Sequence, residues 1–194
     1  MNLSPTLLLI AYSQGIFPMA NRAGAIDWFD PDPRAILPLD DSFYISRSLA
    51  RTLRRNPFEM RVDTAFREVM LACAQPAPGR EFTWIGDEFI EAYSQLHQLG
   101  FAHSVEAWLD GKLVGGLYGV SLGGLFAGES MFSRVKDASK VALVHLTNRL
   151  RGSGFVLHDI QMMTPHLQRF GAILIPREEY KARLAGALRV KATF

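Results

Sequence analysis

A single cysteine, Cys73, occurs in 194 residues, so no disulfide framework can form within the chain and a reducing compartment, the cytoplasm, is expected. Cys73 sits inside the apolar-periodic run Phe66 to Ala74, which reads as core rather than as a nucleophile's surroundings. The five histidines, His97, His103, His145, His158 and His166, show no close ligand spacing, and no metal is expected. Long apolar runs are missing too. Thr6 to Ala11 is short, has no basic stretch before it and is interrupted by Ser13, Gln14 and Gly15, so it reads as neither a signal peptide nor a membrane span. Repeats and low-complexity segments are absent, which excludes solenoids and disordered arrays. Neither charge sign dominates, with 21 basic against 19 acidic residues. The arginines nevertheless crowd residues 47 to 67 and the acids 86 to 91, so a basic partner surface is one reading of that balance.

What is present is apolar content of 48%, enough for one well-buried core plus a small appendage. A soft boundary falls near residue 33, after the turn-rich Trp28-Phe29-Asp30-Pro31-Asp32-Pro33, giving a short segment 1–33 that must lean on 34–194. The patterning predicts helices from Ser46 to Arg55, Ala65 to Ala74 and Asp87 to a stop at Gly100, with a strand near Met60 and a Pro/Gly-rich loop from Gln75 to Gly79. Strands follow at Ala102 to Leu109, Lys112 to Val120 and Leu125 to Ala127, the first two joined by the hairpin pair Asp110-Gly111. A helix from Ala138 to Arg151, N-capped by Asp137, precedes a strand Phe155 to Ile160, a short helix Pro165 to Phe170, a strand Ala172 to Ile175 and a helix Arg177 to Leu188. The sum is α+β, a mixed sheet flanked by helices.

The chemistry-bearing stretch is Gly128-Glu129-Ser130-Met131-Phe132-Ser133-Arg134, answered thirty residues later by Asp159-Ile160-Gln161. Two acids and an amide beside apolar walls suggest a polar site cut into a hydrophobic pocket. Asp159 and Gln161 are two apart on a predicted strand and share a face, either as a self-satisfying strand-end pair or as part of that site. Glu129 is either a helix-capping or surface acid, or a carboxylate placed to hold a cation. Arg47, Arg51, Arg54 and Arg55 lie on one side of a predicted helix, as a solvated face or a phosphate-binding one. Three functional readings remain open on residues alone. Ser130, Asp159 and His166 occur in hydrolase order, though phenylalanine stands where a nucleophile elbow wants glycine. An acetyl-CoA-dependent acetyltransferase would need a glycine-bearing phosphate loop, and residues 133 to 140 have no glycine. A non-catalytic RNA-binding module rests only on the arginine helix.

Seven ordered blocks, Gln14-Gly15-Ile16-Phe17-Pro18, Trp28-Phe29-Asp30-Pro31-Asp32-Pro33-Arg34, Ile45-Ser46-Arg47-Ser48, Thr83-Trp84-Ile85, Ala102-His103-Ser104-Val105-Glu106, Gly115-Gly116-Leu117-Tyr118-Gly119-Val120 and Gly128-Glu129-Ser130-Met131-Phe132-Ser133, resemble the bacterial leucyl/phenylalanyl-tRNA-protein transferases. The resemblance covers nearly the whole chain. It implies a small N-terminal domain and an acetyltransferase-like (GNAT-like) catalytic domain. The implied activity moves leucine or phenylalanine, less readily methionine, from aminoacyl-tRNA onto proteins that begin with arginine or lysine, marking them for degradation. The chain begins close to the first block, so much of the family's usual N-terminal domain is expected to be missing, and Met19 stands where some relatives carry tryptophan.

The resemblance also implies roles. Gln161 would contact the attacking amine, Asp159 would orient Gln161, and Glu129 would position substrate. Leu117, Phe126, Met131, Leu143 and Leu146 would line the pocket for the transferred side chain, with His158 where an apolar residue is expected. Trp84 would stack on the terminal adenosine unless it is core, and Arg47, Arg51, Arg54 and Arg55 would meet acceptor-stem phosphates. Because the ester donor is already activated, no cofactor, ATP or metal is expected, and no membrane partner.

Overall fold

The computed structural model describes residues 3–76 and 81–194. Part of the loop read at Gln75 to Gly79 therefore lies outside the described residues. Helix α1 (Pro5–Ser13) opens the chain; Ser4 caps it by accepting from the Leu7 N–H, and Pro5 occupies its first turn. A small antiparallel hairpin follows, β1 (Phe17–Ala20) with β2 (Ile26–Phe29), its ends stacked through the Phe17 and Phe29 rings. Strand β3 (Arg34–Leu37) then enters the main sheet. None of these four elements is predicted by the patterning: α1 is apolar on most sides and the strands have four residues each.

Downstream, α2 (Arg47–Arg55), β4 (Glu59–Val62), α3 (Phe66–Cys73), α4 (Asp87–Gln98), β5 (Ala102–Leu109), β6 (Lys112–Leu122), β7 (Leu125–Ser133), α5 (Ala138–Gly152), β8 (Leu157–Gln161), α6 (Pro165–Gln168), β9 (Ile173–Ile175) and α7 (Arg177–Ala187) match the expected order. One boundary differs in a way that matters. β7 continues through Ser133, so the Gly-Glu-Ser-Met-Phe-Ser stretch is strand and not the turn of a nucleophile elbow. Asp137 does stand at the N-cap of α5, but its carboxylate caps nothing; it pairs with Lys140 and accepts from the Thr52 hydroxyl.

The seven strands run in the order β4-β5-β6-β7-β8-β3-β9, antiparallel except for β7 against β8. α1, α3 and α4 pack on one face around Tyr12, Met70, Phe89, Tyr93 and Tyr118, so the first segment shares its core with the rest. α5, backed by α2, covers the other face around Leu117, Phe126, Leu143 and Leu146, and α7 packs with Ile36, Leu125 and Leu157. Close approach of α5 requires Gly115, since a Cβ there would lie 2.5 Å from the Ala138 Cβ. Among the described residues no helix is long and apolar enough to cross a membrane. Cys73 is buried in the core.

The Ala-His-Ser-Val-Glu block has a structural task. Glu106, fully buried on β5, accepts from the backbone N–H groups of Thr64 (3.0 Å) and Ala65 (2.9 Å), from the Ser104 hydroxyl (2.7 Å), and from the Thr64 hydroxyl. It takes the backbone N–H of Ala65, the N-cap residue of α3, a helix with no side-chain cap from that residue. Removing it strands buried donors, so Glu106→Ala is expected to lower stability by about 2–4 kcal/mol. Urea unfolding at pH 7 measures this, and a loss below about 1 kcal/mol would count against the capping role.

Candidate active site

The ladder between β7 and β8 is short. It pairs Leu125 with Leu157, Phe126 with His158 and Ala127 with Asp159, and then stops while both strands go on. Parallel neighbours that part company leave a gap in the middle of the sheet. Here a cavity of about 670 Å³ fills it, reaching from Phe17, Met19 and Trp84 on one face to Leu143 and Leu146 on the other.

A second irregularity decides which side chains face that cavity. Opposite β6, Tyr118 pairs with Ser130 and Gly119 pairs with Gly128, so Glu129 is the extra residue of a β-bulge. Strand periodicity alone would put Phe126 and Met131 on opposite faces. The extra residue brings both to the α5 side, while Ala127 and Phe132 face α3 and α4. Gly119 across from the bulge has no room for a side chain: a Cβ would lie 2.3 Å from the Ala127 carbonyl oxygen.

At the mouth of the gap, Gln161 Nε2 donates to Glu129 Oε1 over 2.9 Å, bridging the separated strands. Gln161 has φ of 58°, which ends β8 and takes its side chain out of the strand's alternation. Asp159 does not line the cavity. Its Oδ1 accepts from Arg34 Nε (2.9 Å) and from the Gln161 backbone N–H (2.9 Å); its Oδ2 accepts from Arg34 Nη2 (2.6 Å) and the Tyr180 hydroxyl (2.8 Å). The i, i+2 acids and amide of the sequence are thus joined, but through Gln161's main chain.

Glu129 borders the Tyr12 hydroxyl, itself 2.5 Å from the Tyr93 hydroxyl in the core. Burial pushes the Glu129 carboxyl up to about 8, with the charge of Asp159 adding to the rise; the Tyr12 hydrogen bond, Arg34 and Gln161 pull against it. With its pKa near 8, Glu129 is mostly protonated at pH 7. Both phenols are raised well above their ordinary value, by burial first and the Glu129 charge second.

Of the residues expected in the site, Glu129, Gln161, Leu117, Met131, Leu143, Leu146 and Trp84 line the cavity. Phe126 does not: fully buried, it stands one layer behind, edge-on to His158 at 5.7 Å and stacked on Phe194 at 5.3 Å. Arg47, Arg51, Arg54 and Arg55 are exposed on α2, which packs against α5 through Leu49 and Leu53. The site's support from Arg34, Tyr180, Tyr12 and Tyr93 escapes sequence reasoning, although Arg34 stands in one of the quoted blocks. Ser130, Asp159 and His166 form no triad, since Asp159 is committed to Arg34 and Tyr180.

A mixed sheet parted at its centre around an apolar cavity, with a carboxyl and an amide at the mouth and, among the described residues, no activated nucleophile, fits a group-transfer enzyme better than a serine hydrolase. Family models described as leucyl/phenylalanyl-tRNA protein transferase and its N-terminal domain match residues 36–185 and 1–32. The leucyl/phenylalanyl-tRNA–protein transferase of Herpetosiphon aurantiacus is 63% identical over 192 residues, covering 99% of this chain and 98% of its own. That of Phenylobacterium zucineum is 56% identical over 189 residues, covering 96% and 85%. A solved structure of a conserved protein of unknown function from Bacteroides thetaiotaomicron shares the fold at a TM-score of 0.50 and 11% identity, over 88% of this chain and 58% of that one. The chain belongs to the leucyl/phenylalanyl-tRNA protein transferase family.

The Glu129 carboxyl links stability to pH. The folded protein keeps its proton up to about pH 8, whereas an unfolded chain sheds it near 4.5. Its contribution is therefore full below about 4.5 and is lost as pH rises towards 8. Glu129→Gln removes that loss, so the stability of the variant relative to wild type is expected to climb between pH 5 and pH 9. Urea unfolding of both proteins at pH 5, 7 and 9 checks this; a constant difference would contradict it.

Proposed function

We propose that this chain moves a leucyl or phenylalanyl group, less readily a methionyl group, from the ribose ester of a tRNA to the N-terminal amine of an acceptor protein beginning with arginine or lysine. The observation that carries the reading is the largely apolar cavity itself, with the hydrogen-bonded Glu129–Gln161 pair in its wall. Apolar walls distinguish leucine from phenylalanine only weakly, and flexible Met131 among them suits a pocket that takes both.

The acceptor amine attacks the ester carbonyl, a C–N bond forms, and the ribose oxygen leaves with a proton. Gln161 orients the amine by hydrogen bonding; an amide is too weak a base to deprotonate it. Glu129, matched to an amine whose ordinary pKa is near 8, exchanges a proton with it at little cost in either direction. Asp159 acts on Gln161 from behind, through the backbone. Trp84, half-buried in the cavity wall and perpendicular to Phe89 at 5.2 Å, is our candidate for stacking on the terminal adenine. The α2 arginines give the acceptor stem a cationic surface.

We read residues 34–194 as a GNAT-like catalytic domain and 1–33 as its short N-terminal partner. The parted β7–β8 pair supports the first, and the start of the main sheet at Arg34 supports the second. Acetyl-CoA is a poor fit to the loop before α5: it has no glycine, and the Ser139 N–H is already taken by the Ser133 hydroxyl at 3.2 Å.

Incubation with leucyl- or phenylalanyl-tRNA and a peptide beginning with arginine should give a product heavier by one residue, and no such product would refute the reading. Gln161→Ala is expected to lower the single-turnover rate by about 10- to 1000-fold while tRNA affinity is kept. Unchanged rates would remove Gln161 from the mechanism. Reversing charge at Arg54 and Arg55 together should weaken tRNA binding and reduce its salt slope by about one unit for each lost phosphate contact. A salt slope equal to wild type would return these arginines to an ordinary solvated face.

A further inference from the structure

The cavity wall contains two imidazoles with no task in the chemistry above, His158 and His166, of which His158 is the more deeply buried. His158, on β8 between Leu157 and Asp159, is only 1% exposed, and it lines the cavity beside Gly128. Among the described residues its Nδ1 has no hydrogen-bond partner and is enclosed by protein. Its Nε2 lies on the Gly128 side, 3.4 Å from where a Cβ on that glycine would be. Phe126 meets the ring edge to face from behind, interplanar angle 80°, and fixes its plane.

Burial holds the imidazole down to about 4, so it is neutral at pH 7 and carries one N–H and one lone pair. Enclosing an N–H without an acceptor is the rarer and costlier arrangement; an unsatisfied lone pair is tolerated better. The hydrogen therefore sits on Nε2, on the side of the cavity wall. Beside the apolar side chains of Leu117, Met131, Leu143, Leu146 and Ile160, His158 thus offers the cavity an N–H donor.

We propose that His158 is a specificity-determining residue, favouring a transferred side chain that carries a hydrogen-bond acceptor, the thioether of methionine, over its apolar isostere. This rests on reading the cavity as the seat of the transferred residue. Leucine and phenylalanine leave the donor without a partner, which penalises them by part of a hydrogen bond. Methionine reaches it with an unbranched chain ending near a polarisable sulfur. The polar ring shifts the order of preference within the family's set of apolar residues without changing the reaction.

The test compares two esters that differ only in that atom: one tRNA carrying methionine and the same tRNA carrying norleucine, competing in one tube for an arginine-led peptide. Wild-type protein is expected to prefer methionine by about 2- to 10-fold, the range for one neutral hydrogen bond. His158→Leu is expected to bring the ratio to about one, and His158→Asn, which keeps an N–H donor, to retain part of the preference. A wild-type ratio of one overturns the proposal whether or not the variants fold, and so does a methionine preference that persists in His158→Leu. Absence of any product from leucyl-tRNA as well as from these esters would instead overturn the functional reading, and this proposal with it.

Discussion

The ion pair between Arg34 and Asp159 is the contact on which the rest of the site depends. Both side chains are 1% exposed, and taking two charges out of water costs several kcal/mol each unless every lone pair and hydrogen is satisfied. Here the geometry meets that demand. The guanidinium donates to both carboxylate oxygens and to the Gly15 carbonyl at 2.7 Å, and its faces lie over the rings of Phe17 (4.8 Å) and Tyr180 (4.3 Å). Burial alone would lower the arginine's pKa; the hydrogen bonds and charge of Asp159 hold it above the usual value instead. Losing either partner would leave the other charge buried and alone, a penalty of about 3–5 kcal/mol. Through this one pair the first segment, β3, β8 and α7 are held in a single arrangement. Gly15 belongs to the same arrangement: it has φ of 77°, and its α-carbon sits so close to the Tyr180 ring that a Cβ would lie 2.8 Å away.

That arrangement holds Gln161 in place although, among the described residues, its amide is hydrogen-bonded to Glu129 alone. Its backbone N–H is fixed by Asp159, Asp159 by Arg34, and Arg34 by two rings and a carbonyl. Acid and amide at the cavity mouth thus come from two strands that no longer pair with each other, each anchored separately. Glu129 is anchored by the bulge and by the phenol pair Tyr12–Tyr93, so a helix of the first segment and a helix of the main body meet at its carboxyl. The short N-terminal segment is part of the active site's foundation, not an attachment to it.

Much of this architecture is legible in the residue order. Helical spacing in Asp87 to Leu99, the Asp110-Gly111 turn and the leucine stripe of α5 all reappear in the fold, because each is decided by contacts close in sequence. What is not legible depends on partners distant in sequence. The bulge at Glu129 exists only relative to Gly119 on β6, so the strand reads as ending at Ala127 when taken alone. The resemblance makes Phe126 pocket wall, but the rings of His158 and Phe194 pack on it and it stands one layer behind. Arg34 reads as an ordinary charged residue after a proline-rich turn; its partner is 125 positions away. Helix α1 is a different kind of miss, since Ser4-Pro5 is a legible start signal, overlooked because Thr6 to Ala11 lacks helical periodicity.

The bulge also separates two demands that usually compete at one position. Every ladder residue of β7 must satisfy a cross-strand neighbour on β6 and a packing layer on one face, so its identity is constrained twice over. Glu129 is supernumerary to that ladder and answers to neither constraint. The protein has in effect set aside one backbone position whose side chain can be chosen for its acidity, while the ladder that builds the core resumes beyond it, shifted by one residue.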